Sequence, residues 1–263
     1  MKKYLYIFKS EVMSNMQYIF DLTGGMIGYF LHIFIFVYLY RYLYSGGKDI
    51  INGYSLSQMI WYVIITELIW CILGGRKLCY KISNDVKNGN IAYNINKPYS
   101  YIGYVFSGHL GDIFIKAIIF TIFGMMIGFF FIGGFPKLTI LSVFIVLISC
   151  ILAIFISIIL IMIIGLFSFY IEDSHPFYWL YSKVILVLGT LLPLEYFPTF
   201  IQGILKYLPS YVVAYGPAKL FVDFSSLDAI KILGAQIIYL IISYLLCTFI
   251  YKKGVRKLNV NGG

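Results

Sequence analysis

Residues 138–171 read LTILSVFIVLISCILAIFISIILIMIIGLFSFYI, 34 positions between Lys137 and Glu172 without one Lys, Arg, Asp or Glu. A soluble core helix has no reason to be that long and that dry, whereas about 20 apolar residues cross a bilayer. The rest of the chain agrees. Of 263 residues, 61% are hydrophobic and 12% charged, and the mean hydropathy is +0.88. The fold class that follows is an all-α membrane protein. At roughly 20 residues per span about six helices fit, and no stretch is left for a separate soluble domain. Residues 1–263 therefore read as one transmembrane domain.

The charge balance, 20 basic against 11 acidic residues, could point to nucleic acid. The charges instead fall in short segments at span ends, as the positive-inside rule requires, and no basic face of any length exists. Nucleic acid is excluded as a partner, and the lipid bilayer takes its place. Cys71, Cys79, Cys150 and Cys247 show no CxxC spacing, so neither a disulfide framework nor a metal knuckle is expected. Cys79 reads as part of a basic cytoplasmic loop. Lys2 and Lys3 could open a signal peptide, but Lys9 and Glu11 interrupt the apolar region and no small-residue cleavage site follows, so a retained N-terminus is expected.

Residues 4–20 place Leu5, Phe8, Val12, Met16 and Ile19 at helical spacing, with Lys9, Ser10, Ser14 and Gln17 opposite. This is either an interfacial amphipathic helix or an extension of the first span. Six spans follow, at 24–44, 57–74, 109–131, 139–168, 177–193 and 232–250. A Gly-rich turn with Lys48 and Asp49 follows the first. The 76–107 segment is strongly basic, as are the N-terminal segment and the C-terminal tail, which places both termini at the cytoplasmic face. The acidic 169–182 segment departs from that trend. Between Pro193 and Asp228, prolines punctuate apolar runs too short to span and too apolar for an open loop, so short interfacial or re-entrant helices are expected there.

Two wet segments could carry function. In the first, a short helix ending near Gly89 with Lys87 at its C-terminal dipole, then a restart after Pro98, suits docking to a soluble partner. An ordinary solvated basic loop fits the same residues. In the second, the prolines between Leu191 and Pro209 shape either a gate over a path or a passive cap. Inside the spans, Glu67 and His32 lie at nearly the same depth and are expected to pair. Glu67 is then either a protonated structural group or one that meets a substrate or a proton. Asp112 and Lys116, four apart, read as a local pair. His109 and His175 sit at span ends, and no metal site is expected. The 25 Tyr and 23 Phe serve packing and interface belts or line an aromatic path.

Layout and motifs together resemble the membrane subunits of type-2 ATP-binding-cassette (ABC-2) exporters, permeases of about 260 residues. Asp85, Val86, Lys87, Gly89, Ile91, Ile95 and Pro98 match the family's coupling loop, with Ile95 where Leu is usual. Gly189, Pro193, Phe197-Pro198 and Leu208-Pro209 match its outer signature. The resemblance implies an interfacial N-terminal helix, six spans, a coupling helix between spans 2 and 3, and short extracellular helices between spans 5 and 6. It also implies outward movement of a hydrophobic or amphipathic compound (lipid, drug or antimicrobial peptide) across the cell membrane. Two separate ATPase subunits would drive it, with a second permease, identical or not, completing the path. This chain has no phosphate-cradling loop, since Gly74-Gly75-Arg76-Lys77 lacks the spacing. No cofactor is therefore expected on it, with ATP and Mg held by the ATPase, and it is not expected to be an enzyme. Two other classes remain. One is an ATP-independent channel or secondary transporter. The other is an intramembrane enzyme built on Glu172, Asp173 and His175, which lack the spacing of a zinc protease or a paired catalytic serine.

Overall fold

The computed structural model describes residues 2–47, 49–171 and 173–261, and of residues 19 and 258–261 the backbone alone. Lys48 and Glu172, both weighed above, lie outside the described residues. The chain opens with α1 (Lys2–Gln17) and, after a 3-10 turn, α2 (Leu22–Tyr44). A two-residue antiparallel hairpin follows, β1 (Ile50–Ile51) against β2 (Tyr54–Ser55). Then come α3 (Leu56–Leu73), α4 (Gly75–Lys87), α5 (Asn90–Ile95), α6 (Tyr101–Ile132) and α7 (Ile140–Leu166). The last third holds α8 (His175–Ile185), α9 (Thr199–Leu205), α10 (Gly216–Val222) and α11 (Ser226–Asn261). Two π-helical segments, Leu186–Thr190 and Tyr211–Tyr215, interrupt it.

Local chemistry explains where the elements begin and end. Ser55 and Gln58 cap the start of α3 reciprocally, and Thr139 and Ser142 do the same for α7. Gly74 stops α3 with a left-handed backbone at φ 44°, which glycine adopts at little cost. Among the described residues five helical stretches are long and apolar enough to cross a membrane: Leu22–Tyr44, Leu56–Lys87, Tyr101–Ile132, Ile140–Phe169 and Ser226–Lys257. Their outward faces are apolar, with Phe130 81% exposed, the reverse of a water-facing surface.

α3 is the hub. It is buried along almost its whole length, with α2, α6 and α10 packed around it. Small residues set the closest approaches: Gly124 lies under the Tyr29 hydroxyl, and the Trp61 ring lies on Gly128. α1 runs along the first half of α6. A Cβ on Gly111 would stand 2.6 Å from the Phe8 carbonyl oxygen, and Gly103 meets the Tyr4 ring.

Four sequence expectations change. The helix that holds the expected third span, 109–131, begins earlier, at Tyr101, directly after the Pro98 turn. The last runs past 232–250 in both directions as α11. The stretch at 177–193 is not one continuous helix. It is an 11-residue α-helix, a five-residue π segment and then a turn at Pro193, because Pro193 lacks the donor a continuing helix needs. On α1, Phe8 and Val12 pack inward with Tyr4, Ile7 and Glu11, while Leu5 and Met16 face outward. The apolar residues are thus split between α6 and the surroundings, which a single helical face could not reveal; the side chain of Ile19 lies outside the described residues.

The contacts define two ends. At one, Lys3 bonds the Pro98 carbonyl, Tyr101 stacks on Tyr251 at 5.8 Å, and Gly254 admits the Phe169 ring. This basic end also holds α4 and α5. At the other, Trp61 Nε1 donates to Gly134 O at 3.1 Å and Gln58 to Val222 O at 3.1 Å. Arg41 caps the last turn of α6 through Phe131 O at 3.2 Å.

The α1–α6 packing makes a test. Gly111→Val forces a methyl into the α1 backbone and should cost about 1–3 kcal/mol. Gly234→Ala, with nothing near its added methyl, should be silent. Thermal denaturation in detergent, read by size-exclusion chromatography, compares the two.

Candidate functional site

The basic 76–107 segment is not a loop but a folded element. α4 presents Leu78, Cys79, Ile82, Ser83 and Val86 inward against α7 and the turn after it. Ser168 Oγ lies 2.8 Å from Ser83 Oγ and 2.9 Å from Ser174 Oγ, knitting that seam. Cys79 is buried, so the thiol is not open to reagents as its position in a basic segment suggests. The chain turns at Gly89, left-handed at φ 71°, into α5.

The sequence-predicted coupling residues divide. Val86 and Ile91 are buried and Ile95 half-buried, so they anchor the turn rather than offer it. Asp85 accepts from the Tyr101 hydroxyl at 2.8 Å, tying α4 to the start of α6. Lys87, Gly89 and Pro98 face outward, and Lys87 reaches Asp173 at 3.6 Å. The surface on offer also includes Asn84, Asn88, Asn90, Ala92 and Tyr93, the last 70% exposed. Sequence reasoning missed Tyr93; an aromatic two residues after the buried Ile91 was the signal available. Asp173, whose carboxyl sits below its ordinary range chiefly through the His175 backbone N–H, also meets His175 Nδ1 at 2.8 Å. His175 stacks on Tyr80 with ring centroids 3.5 Å apart, which gives Asp173 and His175 a fastening role.

The break between α3 and α4 is clasped from α6. His109 Nε2 lies 3.1 Å from Leu73 O, which can only accept, so Nε2 carries the hydrogen. Three residues on, Asp112 takes Lys77 of α4 at 3.0 Å and Lys116 at 3.2 Å. Asp112 and Lys116 do pair, but the pair is not merely local: the α4 lysine joins it across 35 residues.

At the opposite end the expected gate residues lie around a hydroxyl cage. The helix that breaks after Thr190 leaves carbonyls without helical partners. Tyr62 Oη donates to Gly189 O at 2.6 Å, Thr66 Oγ1 to Thr190 O at 3.1 Å, and Tyr40 Oη to Leu191 O at 3.0 Å. Gly189 also abuts the re-entering chain, where an added Cβ would lie 2.9 Å from Ala214 Cβ. Pro193 opens the 3-10 turn Leu194–Tyr196, and Pro198 caps α9 after Phe197. Leu208 and Pro209 lead into the buried π segment and α10.

Glu195, not singled out in the sequence, is the centre of this cage. Its carboxylate accepts from Tyr54 at 2.9 Å and Tyr215 at 2.7 Å, with Lys219 Nζ 3.7 Å away. Three separate segments, the β-hairpin, the proline turn and the re-entrant helix, meet on one side chain. Burial first, then Glu195, hold the Tyr54 hydroxyl well above its ordinary value, so it remains a donor. An acid between Pro193 and Pro198 was the only local signal.

Within the apolar span, His32 Nδ1 lies 3.5 Å from Glu67 Oε2. Glu67 is buried and that oxygen has no hydrogen-bond partner among the described residues. No group of His, Cys, Asp or Glu that could hold a metal exists among the described residues.

The α4–α5 turn, the clasp and the hydroxyl cage together describe a membrane bundle whose two ends are joined through α3. A search among curated proteins returns no match. The family model described as "ABC-2 family transporter protein" matches residues 26–262, nearly the whole chain. A multi-pass, all-α chain matched over that length belongs to the ABC-2 transporter family.

Proposed function

We propose that this chain is the membrane permease of an exporter, energised by two separate ATPase subunits that dock on the α4–α5 turn. The observation that carries this reading is that turn. Its apolar residues are spent inward on α7, while Asn84, Lys87 to Asn90 and Tyr93 project outward from the basic end as a polar, partly aromatic patch. ATP and Mg belong to the partner, and the chain itself is not an enzyme. The basic end is cytoplasmic, with both termini there. α8 with its π segment acts as a broken sixth crossing, its free carbonyls met inside the protein. A second permease, identical or not, completes a path for a hydrophobic or amphipathic compound at the cell membrane.

Movement of the turn has a route. α4 follows α3 across the left-handed Gly74, and the clasp of His109 and Asp112 carries displacement of α4 into α6. α3 in turn bears Tyr62 and Thr66, which grip the broken helix near the opposite end. The Glu195 cage is then the gate that opens when α3 shifts.

Gly89→Pro, which cannot adopt the left-handed turn, and Asp85→Arg, which expels the Tyr101 bond, should each reduce export-linked ATP hydrolysis about tenfold or more. Insertion and folding should survive. Transport retained in both variants removes the coupling role and favours an ATP-independent channel or carrier. Purified permease–ATPase complexes in nanodiscs supply the measurement.

Because Cys79 is buried, orientation is tested by a new thiol. Ala92→Cys, in a background lacking exposed cysteine, should react with an impermeant maleimide in inside-out vesicles and stay unlabelled in intact cells. Labelling of intact cells reverses the orientation.

Glu195→Ala leaves two tyrosine donors without an acceptor and should cost about 1–3 kcal/mol of stability. Export should fall further than with Tyr54→Phe, which removes one of the three links. Thermal denaturation and vesicle transport assays rank the variants.

A further inference from the structure

Glu67 holds a carboxylate in the most buried helix of the bundle, and one of its oxygens is unused. The side chain is 2% exposed, yet Oε2 has no hydrogen-bond partner among the described residues. Its neighbour, His32, is 59% exposed on α2 and stands 3.5 Å away, a charge-range contact without a hydrogen bond. The nearby Tyr29 hydroxyl is already committed to Ile64 O at 3.0 Å. A buried carboxyl group normally has its lone pairs filled, because leaving one empty in apolar surroundings costs more than a hydrogen bond returns.

The position on α3 matters. The Thr66 hydroxyl reaches the broken helix at Thr190 O, and the Ile64 carbonyl accepts from Tyr29 of α2. Glu67 is 1% exposed on α3, and the exposed His32 of α2 lies against its Oε2. On α2 the neighbouring Leu31 and Ile35 are exposed and apolar, and among the described residues the polar contact of His32 is to Glu67.

We propose that Glu67 is a binding site for the cationic headgroup of the transported amphiphile, a primary ammonium on an apolar body, with His32 as its displaceable cap. The ammonium supplies what Oε2 lacks, a charged donor, and the charge-assisted bond forms away from water where it is strongest. The exposed apolar face of α2, with Leu31 and Ile35, receives the hydrocarbon portion. This deepens the permease reading by naming a substrate class for the path. It is tested on the permease without its ATPase, so failure here leaves the coupling role standing.

The probe is dansylated 1,8-diaminooctane, which carries one free ammonium, beside its N-acetylated neutral analogue. Binding to the permease in nanodiscs is read by energy transfer from tryptophan to dansyl, with Trp70 on the same helix. The ammonium form should bind at least about tenfold more tightly than the acetylated one. Glu67→Gln should abolish that difference and leave the neutral analogue unchanged. His32→Ala removes the cap from an exposed position without disturbing the fold, and should raise affinity for the ammonium form alone. Equal binding of the two probes to the native protein overturns the proposal. So does a Glu67→Gln variant that keeps the preference. If Glu67→Gln does not fold, His32→Ala decides: unchanged or weaker ammonium binding overturns the proposal.

Discussion

Every helix end that stops inside apolar surroundings must hand its unpaired carbonyls to a donor. In water that is trivial; in hydrocarbon each orphan costs several kcal/mol. This chain breaks helices in two such places and meets the requirement with side chains. Leu73, at the end of α3, gives its carbonyl to His109. Gly189, Thr190 and Leu191 give theirs to Tyr62, Thr66 and Tyr40. The abundance of tyrosine in the buried set is thereby explained: a ring fills apolar space and its hydroxyl reaches a carbonyl at the far edge.

Those same bonds bridge the break between α3 and α4, which one imidazole and one lysine–aspartate contact hold from α6. The two lysines on Asp112 come from different helices, so its carboxylate ties α4 to α6. The re-entrant segment obeys the same rule. Gln236 of α11 donates to both Ser149 O at 3.0 Å and Val212 O at 2.9 Å, carrying the second π segment and α7 on one amide.

Much of this was legible before any coordinates. The span at 139–168 follows from its unbroken apolar run, and the turn at Gly89 from a glycine between two polar asparagines. His32 and Glu67 share a depth that counting along two spans reveals. What was hidden is tertiary. Nothing local marks Glu195 as the meeting point of Tyr54, 141 residues earlier, and Tyr215, 20 later. Within the 85–98 motif the residues divide by burial. Val86 and Ile91 pack inward, while Lys87, Gly89 and Pro98 share the outward face with Asn84, Asn88, Asn90 and Tyr93, which no motif names. The broken helix at 177–193 escaped because composition registers apolarity and not hydrogen bonding. Pro193 was visible, but the hydroxyls that make a break tolerable lie on α2 and α3.

Glu67, buried within α3, and Glu195, partly exposed in the proline turn, show how environment separates roles for one side chain. Glu195 has two tyrosine donors and a nearby lysine, so its charge is answered from within the chain and the group fastens structure. Glu67 has only an exposed imidazole that stops short of a hydrogen bond. A carboxylate whose needs are met gains little from a ligand, because a ligand would first have to displace existing donors. One whose needs are unmet gains the full charge-assisted bond. The unanswered group lies partway along α3, between the clasped break at the basic end and the fastened cage at the other. There the proposed ammonium and His32 would compete for one oxygen.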